Sequence, residues 1–266
     1  MDRPLAAALV VCLVAGDGRR SGAAPLAVQG PIERLGAKTA KVERVHVVLE
    51  HAYYSSGRRT QLGKLEAWFD RKAKRCLTHS RWEYRNRPGA AGRTWSRGVL
   101  VNERGATTWS RRDGALRECY RHPVDRFLPA PGRLAAHHYA PGCLLDGLYG
   151  YRNLTRVFTL RPAAAPLPEH KQLRWFAAQV NPGEPEGQQL QWLTREGYET
   201  FVGFDAATGW LKAMITRHPN TWRSVVTVKK VEADPNLTGV FVLPDDVRQA
   251  EILDAKTREP IPEHER

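Results

Sequence analysis

The chain has 266 residues, with 41 Lys and Arg against 28 Asp and Glu, a formal net charge of +13, and it is 42% hydrophobic and 26% charged. That is enough apolar material for one ordinary core, which excludes a disordered chain, and four cysteines are too few to staple a miniprotein. Beyond the N-terminus no apolar run reaches the ~18 residues of a spanning helix, so a polytopic membrane protein is excluded as well.

Residues 1–24 read as a secretory leader. Arg3 gives the positive start, Leu5 to Ala15 the apolar stretch, and small residues follow at Gly16 and at Gly22 to Ala24. Cleavage leaves an exported protein in the periplasm or cell envelope; retention leaves a single weak anchor with the body outside the cytoplasm. Cys12 raises lipidation as an alternative, with Val11 a poor fit where a small residue is expected.

From Pro31 to Val42 the spacing allows a short helix. The period then changes to two: Val45, Val47 and Leu49 alternate with Arg44, His46 and Glu50, and Leu65, Ala67 and Phe69 alternate with Lys64, Glu66 and Asp70. After a polar reversal at Arg71 to Lys74, Cys76, Thr78, Ser80, Trp82 and Tyr84 alternate with Arg75, His79, Arg81, Glu83 and Arg85. A Pro88-Gly89 loop follows. Strands over Val99–Asn102, Ala106–Ser110 and Leu116–Tyr120 are separated by hairpin signals at Glu103-Arg104-Gly105 and Asp113-Gly114.

Arg133 to Tyr149 is a second helical patch, broken at Pro141-Gly142. Strands are expected again at Leu154–Leu160 and Leu173–Val180, and then at Leu190–Arg195, Thr200–Asp205, Trp210–Arg217 and Ser224–Glu232. This spacing implies an α+β chain that is mostly antiparallel β, as a strongly curved sheet. From Glu232 to Arg266 there are nine acidic and four basic residues, and 247–266 reads as a solvated, charged C-terminal tail.

Charge is concentrated. Residues 55–126 hold 18 Lys or Arg and 7 Asp or Glu, a balance of +11. Because these cations alternate with apolar residues, Arg71, Lys72, Lys74, Arg75, Arg81 and Arg85 are expected on one outer face, suited to an anionic membrane surface or another envelope polyanion. Trp82, Trp95 and Trp109 are interleaved with them and could stack bases, but a leader routes the chain away from nucleic acid, so none is expected as a partner.

Cys119, His122, His137, His138 and Cys143 have ligand-like spacing for zinc, while an exported chain can instead join Cys119 to Cys143 in a disulfide; the alternatives stay open, and no metal or cofactor is assigned. Cys76 reads as a small buried hydrophobe. The chain has no Gly-x-Ser-x-Gly, His-Glu-x-x-His, Walker or Gly-x-Gly-x-x-Gly motif, so catalytic residues are not assigned and a non-enzymatic protein is expected.

The hairpin Gly105-Ala106-Thr107-Thr108-Trp109, the turn Gly203-Phe204-Asp205-Ala206-Ala207-Thr208-Gly209-Trp210-Leu211 and the segment from Asn236-Leu237 to Phe241-Val242-Leu243-Pro244 have a familiar order. Together they resemble the LolA/LolB-like and RseB-like periplasmic lipoprotein-carrier superfamily over residues 25–246. The resemblance implies a curved half-barrel whose concave face is apolar and covered by short helices, with the third segment as a closing strand. It implies a cavity lined by Val45, Val47, Leu49, Leu65, Phe69, Trp82, Tyr84 and Trp109, holding a lipid, a lipoprotein acyl chain or a hydrophobic segment of an envelope protein. A membrane-tethered sensor ectodomain of the RseB-like type is the alternative.

Overall fold

The computed structural model describes residues 39–122, 158–181, 197–218 and 222–262, except 40, 71, 74, 85–91 and 104. The leader, both helical patches (apart from Thr39 and residues 41–42) and the strand expected at Leu190–Arg195 lie outside those residues. Among the described residues, no helix is long and apolar enough to cross a membrane.

Two antiparallel meanders make one open, curved sheet of twelve strands. The first runs β1 (Arg44–Ser55), β2 (Arg58–Asp70), β3 (Arg75–Tyr84), β4 (Arg93–Asn102), β5 (Gly105–Arg112) and β6 (Ala115–His122). The second runs β7 (Phe158–Ala163), β8 (Arg174–Val180), β9 (Glu199–Phe204), β10 (Leu211–His218) and β11 (Trp222–Ala233). They join where β1 lies antiparallel to β11, from Val45 opposite Ala233 to Ser55 opposite Trp222, with a register shift after Val48. A two-residue strand, β12 (Leu253–Asp254), pairs in parallel with β6. The period-two reading therefore holds, and the mostly antiparallel fold with it.

The turns follow from residue chemistry. Ser56-Gly57 (φ 48° and 75°) and Asp113-Gly114 (φ 51° and 85°) have both central residues at positive φ, the hairpin geometry that matches strand twist. Asp113 also accepts the Thr94 N–H at 2.9 Å. In the turn between β9 and β10, the Asp205 carboxylate accepts the N–H groups of Ala207 and Thr208 at 2.9 and 2.8 Å, and Gly209 takes φ 78°.

Three glycines stand directly opposite tryptophans on neighbouring strands: Gly63 with Trp82, Gly98 with Trp109, and Gly203 with Trp175. Each indole lies over its glycine so closely that an added Cβ would meet the ring at 2.6, 2.0 and 2.9 Å respectively. The missing side chains make room for the widest rings of the sheet.

Two sequence expectations fail here. Residues 236–244 form turns rather than a closing strand. The segment 247–262 is not a solvated tail. In the short helix α1 (Asp245–Gln249) and the segment that follows it, Val247, Ile252 and Ile261 are 0%, 1% and 9% exposed and pack with Leu77, Leu100, Trp109 and Cys119. Arg111 pairs with Asp246 at 2.6 Å, and Ala255 N–H donates to the Arg121 carbonyl at 2.8 Å. The apolar residues of this strap are isolated among charges, so they make no period that sequence reading detects.

Candidate ligand-binding face

Register sorts the strand residues onto two faces. On the first, rows run across the strands of the first meander. Val45, Phe69, Cys76, Val101 and Ala106 form one row, and Val47, Ala67, Thr78, Val99 and Thr108 the next. Leu49, Leu65, Ser80, Arg97 and Ser110 follow. Then come His51, Gly63, Trp82, Trp95 and Arg112, and last Tyr53, Gln61, Tyr84 and Arg93. At about 3.3 Å per residue, Val45 and Tyr53 stand about 26 Å apart along β1. On β1 and β2 the face is thus graded from aliphatic at the Val45 end to aromatic and polar at Tyr53 and Gln61, while on β4 and β5 the cations begin in the third row, at Arg97.

Beyond β1 the gradient continues. His51, Val226, Met214, Val202 and Phe176 share one row, and Tyr53, Ser224, Thr216 and Thr200 the next. The buried hydroxyls of this row have partners: Ser224 Oγ lies 2.7 Å from His51 Nε2 of the row before, and the Thr200 and Thr216 hydroxyls lie 3.3 Å apart. His51 and Tyr53 rings lie 4.3 Å apart, and His51 meets Trp82 edge-on at 5.2 Å. Burial, helped by Tyr84, pushes the Tyr53 phenol up to about 12, and burial raises Tyr84 too. Burial also pushes the Cys76 thiol up, which keeps it unreactive.

Of the residues expected to line a cavity, Val45, Val47, Leu49, Leu65, Phe69, Trp82 and Tyr84 do share this face. Trp109 does not. It opposes Gly98 and Cys119 on the second face, in contact with Leu77 and Leu100. Cys119 is buried beside it, whereas His122, three residues on, lies on the first face with Nε2 3.2 Å from the Thr108 hydroxyl. The strand separates the two groups that a zinc site needs together; Cys143, His137 and His138 lie outside the described residues. Among the described residues, no three or more His, Cys, Asp or Glu gather as metal ligands.

No protein family and no curated protein matches the chain. Among solved structures it is similar to a DUF1329 family protein from Desulfovibrio piger, at 9% identity over 83% of this chain and 98% of that one, with a TM-score of 0.33.

Three of the six residues of the expected outer basic face are described. Arg71, Lys74 and Arg85 lie outside the described residues. Lys72 sits in the β2–β3 turn, and Arg81 projects from the second face. Arg75 is committed: its guanidinium pairs with Asp70 at 3.2 Å and lies 4.7 Å from the Phe241 ring centre.

The second face has a polar middle. His46 Nε2 lies 2.8 Å from Glu66 and Nδ1 3.4 Å from Glu232, which also pairs with Lys230 at 2.8 Å. The His46 ring stacks on Trp68 at 5.0 Å, and His79 meets both Trp68 and Trp109 edge-on.

His51 and Ser224 have the spacing of a base and a nucleophile. Their setting supplies little else: Ser224 lies mid-sheet between Tyr53 and Thr216, so the amides around it are spent in the ladders rather than aimed at an oxyanion. The groups that sequence reading missed here are His51, Ser224, Thr200, Thr216, Arg93, Arg97 and Arg112. The signal was present: the odd-numbered parity of β4 runs from Val101 back to Arg93, but the strand was expected to begin at Val99.

Proposed function

We propose that the chain is a non-enzymatic binding protein of the cell envelope that holds the acyl part of a lipid or lipidated protein along the first face. The observation that carries this reading is the gradient along the strands. Two purely structural requirements, a core and a solvated edge, need only one apolar and one wet face; this sheet grades a single face from aliphatic to polar, which is the profile of an amphiphile. On β1 and β2, from Val45 to Leu49, the aliphatic part is about 13 Å long, close to the ~15 Å that one leaflet contributes to a bilayer's hydrocarbon core.

Val45, Val47 and Phe69 are each 0% exposed, so a guest has to take the place of protein atoms, and loading is an exchange of one apolar cover for another. Acyl burial at about 25 cal/mol per Å² supplies the driving force, less the cost of that opening. The expected export of the chain and its resemblance to lipoprotein carriers support the same reading. The test is native mass spectrometry of protein purified from its own envelope fraction. A co-purifying lipid mass is expected; lipid-free protein that also takes up no lysolipid overturns the proposal.

A further inference from the structure

The arginines of the sheet differ in their partners. On the second face Arg81 is exposed, while several others are neutralised or stacked: Arg111 pairs with Asp246 at 2.6 Å, Arg217 with Glu199 at 2.8 Å, and Arg223 lies 4.4 Å from the Tyr54 ring centre. At the polar end of the first face they are not. Arg93 opposes Tyr84, and Arg112 opposes Trp95, which in turn opposes Trp82. Both arginines are exposed, and neither makes an ion pair with a described residue. Arg58, opposite Ser55, opens β2 at the same end, exposed and equally without an ion pair among the described residues. Of the nearby carboxylates, Asp113 is held by the Thr94 amide at 2.9 Å, Glu83 belongs to the second face, and Glu118 lies across from Ser110, one strand further out.

We infer that this end of the face is a headgroup subsite for an acidic phospholipid, with the phosphate between Arg93 and Arg112. The inference rests on the proposed amphiphile binding and adds to it the charge of the ligand. A guanidinium fork matches phosphate oxygens two at a time, and two forks from adjacent strands leave no place for a headgroup cation. Trp82 and Trp95 lie beside Arg112 in one row, between Arg93 and the aliphatic rows, where amphipathic rings suit the boundary between headgroup and chain. The Tyr84 hydroxyl, on the residue opposite Arg93, is a donor for the same oxygens.

The experiment titrates the full chain with lysophosphatidylglycerol and with lysophosphatidylcholine of the same acyl length, both below their micelle concentrations, following tryptophan fluorescence. The anionic lipid is expected to bind about tenfold more tightly, as one or two charge-assisted contacts imply. The double variant Arg93→Gln/Arg112→Gln is expected to erase that preference, leave the zwitterionic lipid's affinity within about twofold, and keep the wild-type circular dichroism, since both side chains are exposed. In wild type the preference should also shrink as salt rises. Equal binding of the two lipids by wild type, or a double variant that retains the preference, overturns the subsite but not the amphiphile reading. Glycerol phosphate that competes as well as the lysolipid overturns it in favour of a free-phosphate site. Failure of both lipids to bind overturns the amphiphile reading, and the subsite with it.

Discussion

The two faces of this sheet use the same strands for different ends. Alternate residues of β2 make the point: Leu65, Ala67 and Phe69 belong to one core that continues across ten strands, while Glu66 and Trp68 on the other side meet His46 from β1. The second face buries its apolar residues in two separate patches. One is closed by the C-terminal strap; the other gathers Leu167, Trp175, Ala213 and Ile215 at the far edge. Between them lie His46, Glu66, Glu232 and Lys230. A sheet whose two faces were both continuous cores would need cover on both sides. Here one face is continuous and graded, and the other is patched locally, which is why a long guest is assigned to the first.

That contrast can be broken in order of expected effect. Ending the chain after Pro244 removes Val247, Ile252 and Ile261 from over Leu77, Leu100 and Trp109, and should cost about 5 kcal/mol at 1.5–3 kcal/mol per large side chain. A solvated tail would cost almost nothing, and urea unfolding separates the two outcomes. Within one strand, Phe69→Ala should cost about 4 kcal/mol, as for a fully buried aromatic, and Trp68→Ala on the opposite side about half that, because Trp68 is only partly buried. Equal losses would mean that the faces are not different in kind. Gly98→Ala puts a Cβ 2.0 Å from the Trp109 ring and should cost about 3 kcal/mol, an overpacking effect read as a lowered Tm.

The smallest effect concerns pH. Burial, reinforced by Arg111 and opposed by Glu66, lowers the pKa of His79. The unfolded chain then binds a proton that the folded chain resists, so stability is full above about pH 6.5 and falls as the pH drops from there toward the lowered folded value. His79→Gln should flatten that part of the stability curve; an unchanged slope would remove His79 as its source. Below about pH 4 the curve should fall again as Asp205 protonates, because its carboxylate is held low by the N–H groups of Thr208 and Ala207.

Period-two alternation made most of this fold legible. It placed β1, β2 and β3 with their buried sides correct, and Asp113-Gly114 and Asp205 to Gly209 marked turns that carry their own chemistry. What it could not carry is which strand lies beside which. The pairing of β1 with β11 spans most of the chain, so the hydroxyl row from Ser224 to Thr200 could not be joined to His51 from local pattern. Trp109 was misassigned for a related reason: its parity is opposite to that of Ala106 and Thr108, and only the register with Gly98 shows which face that is. The strap was illegible because single apolar residues, spaced by a helix turn and a tight turn, fill holes that other strands create.

The most direct measurement uses a lysophosphatidylglycerol carrying a photoreactive group near the end of its acyl chain, cross-linked to the full chain and mapped by peptide mass spectrometry. Adducts should fall on the aliphatic rows, at Val45, Val47, Leu65 or Phe69. Adducts confined to the second face around Trp109 and Leu100, or none above the background of a soluble photoreactive control, would contradict the account.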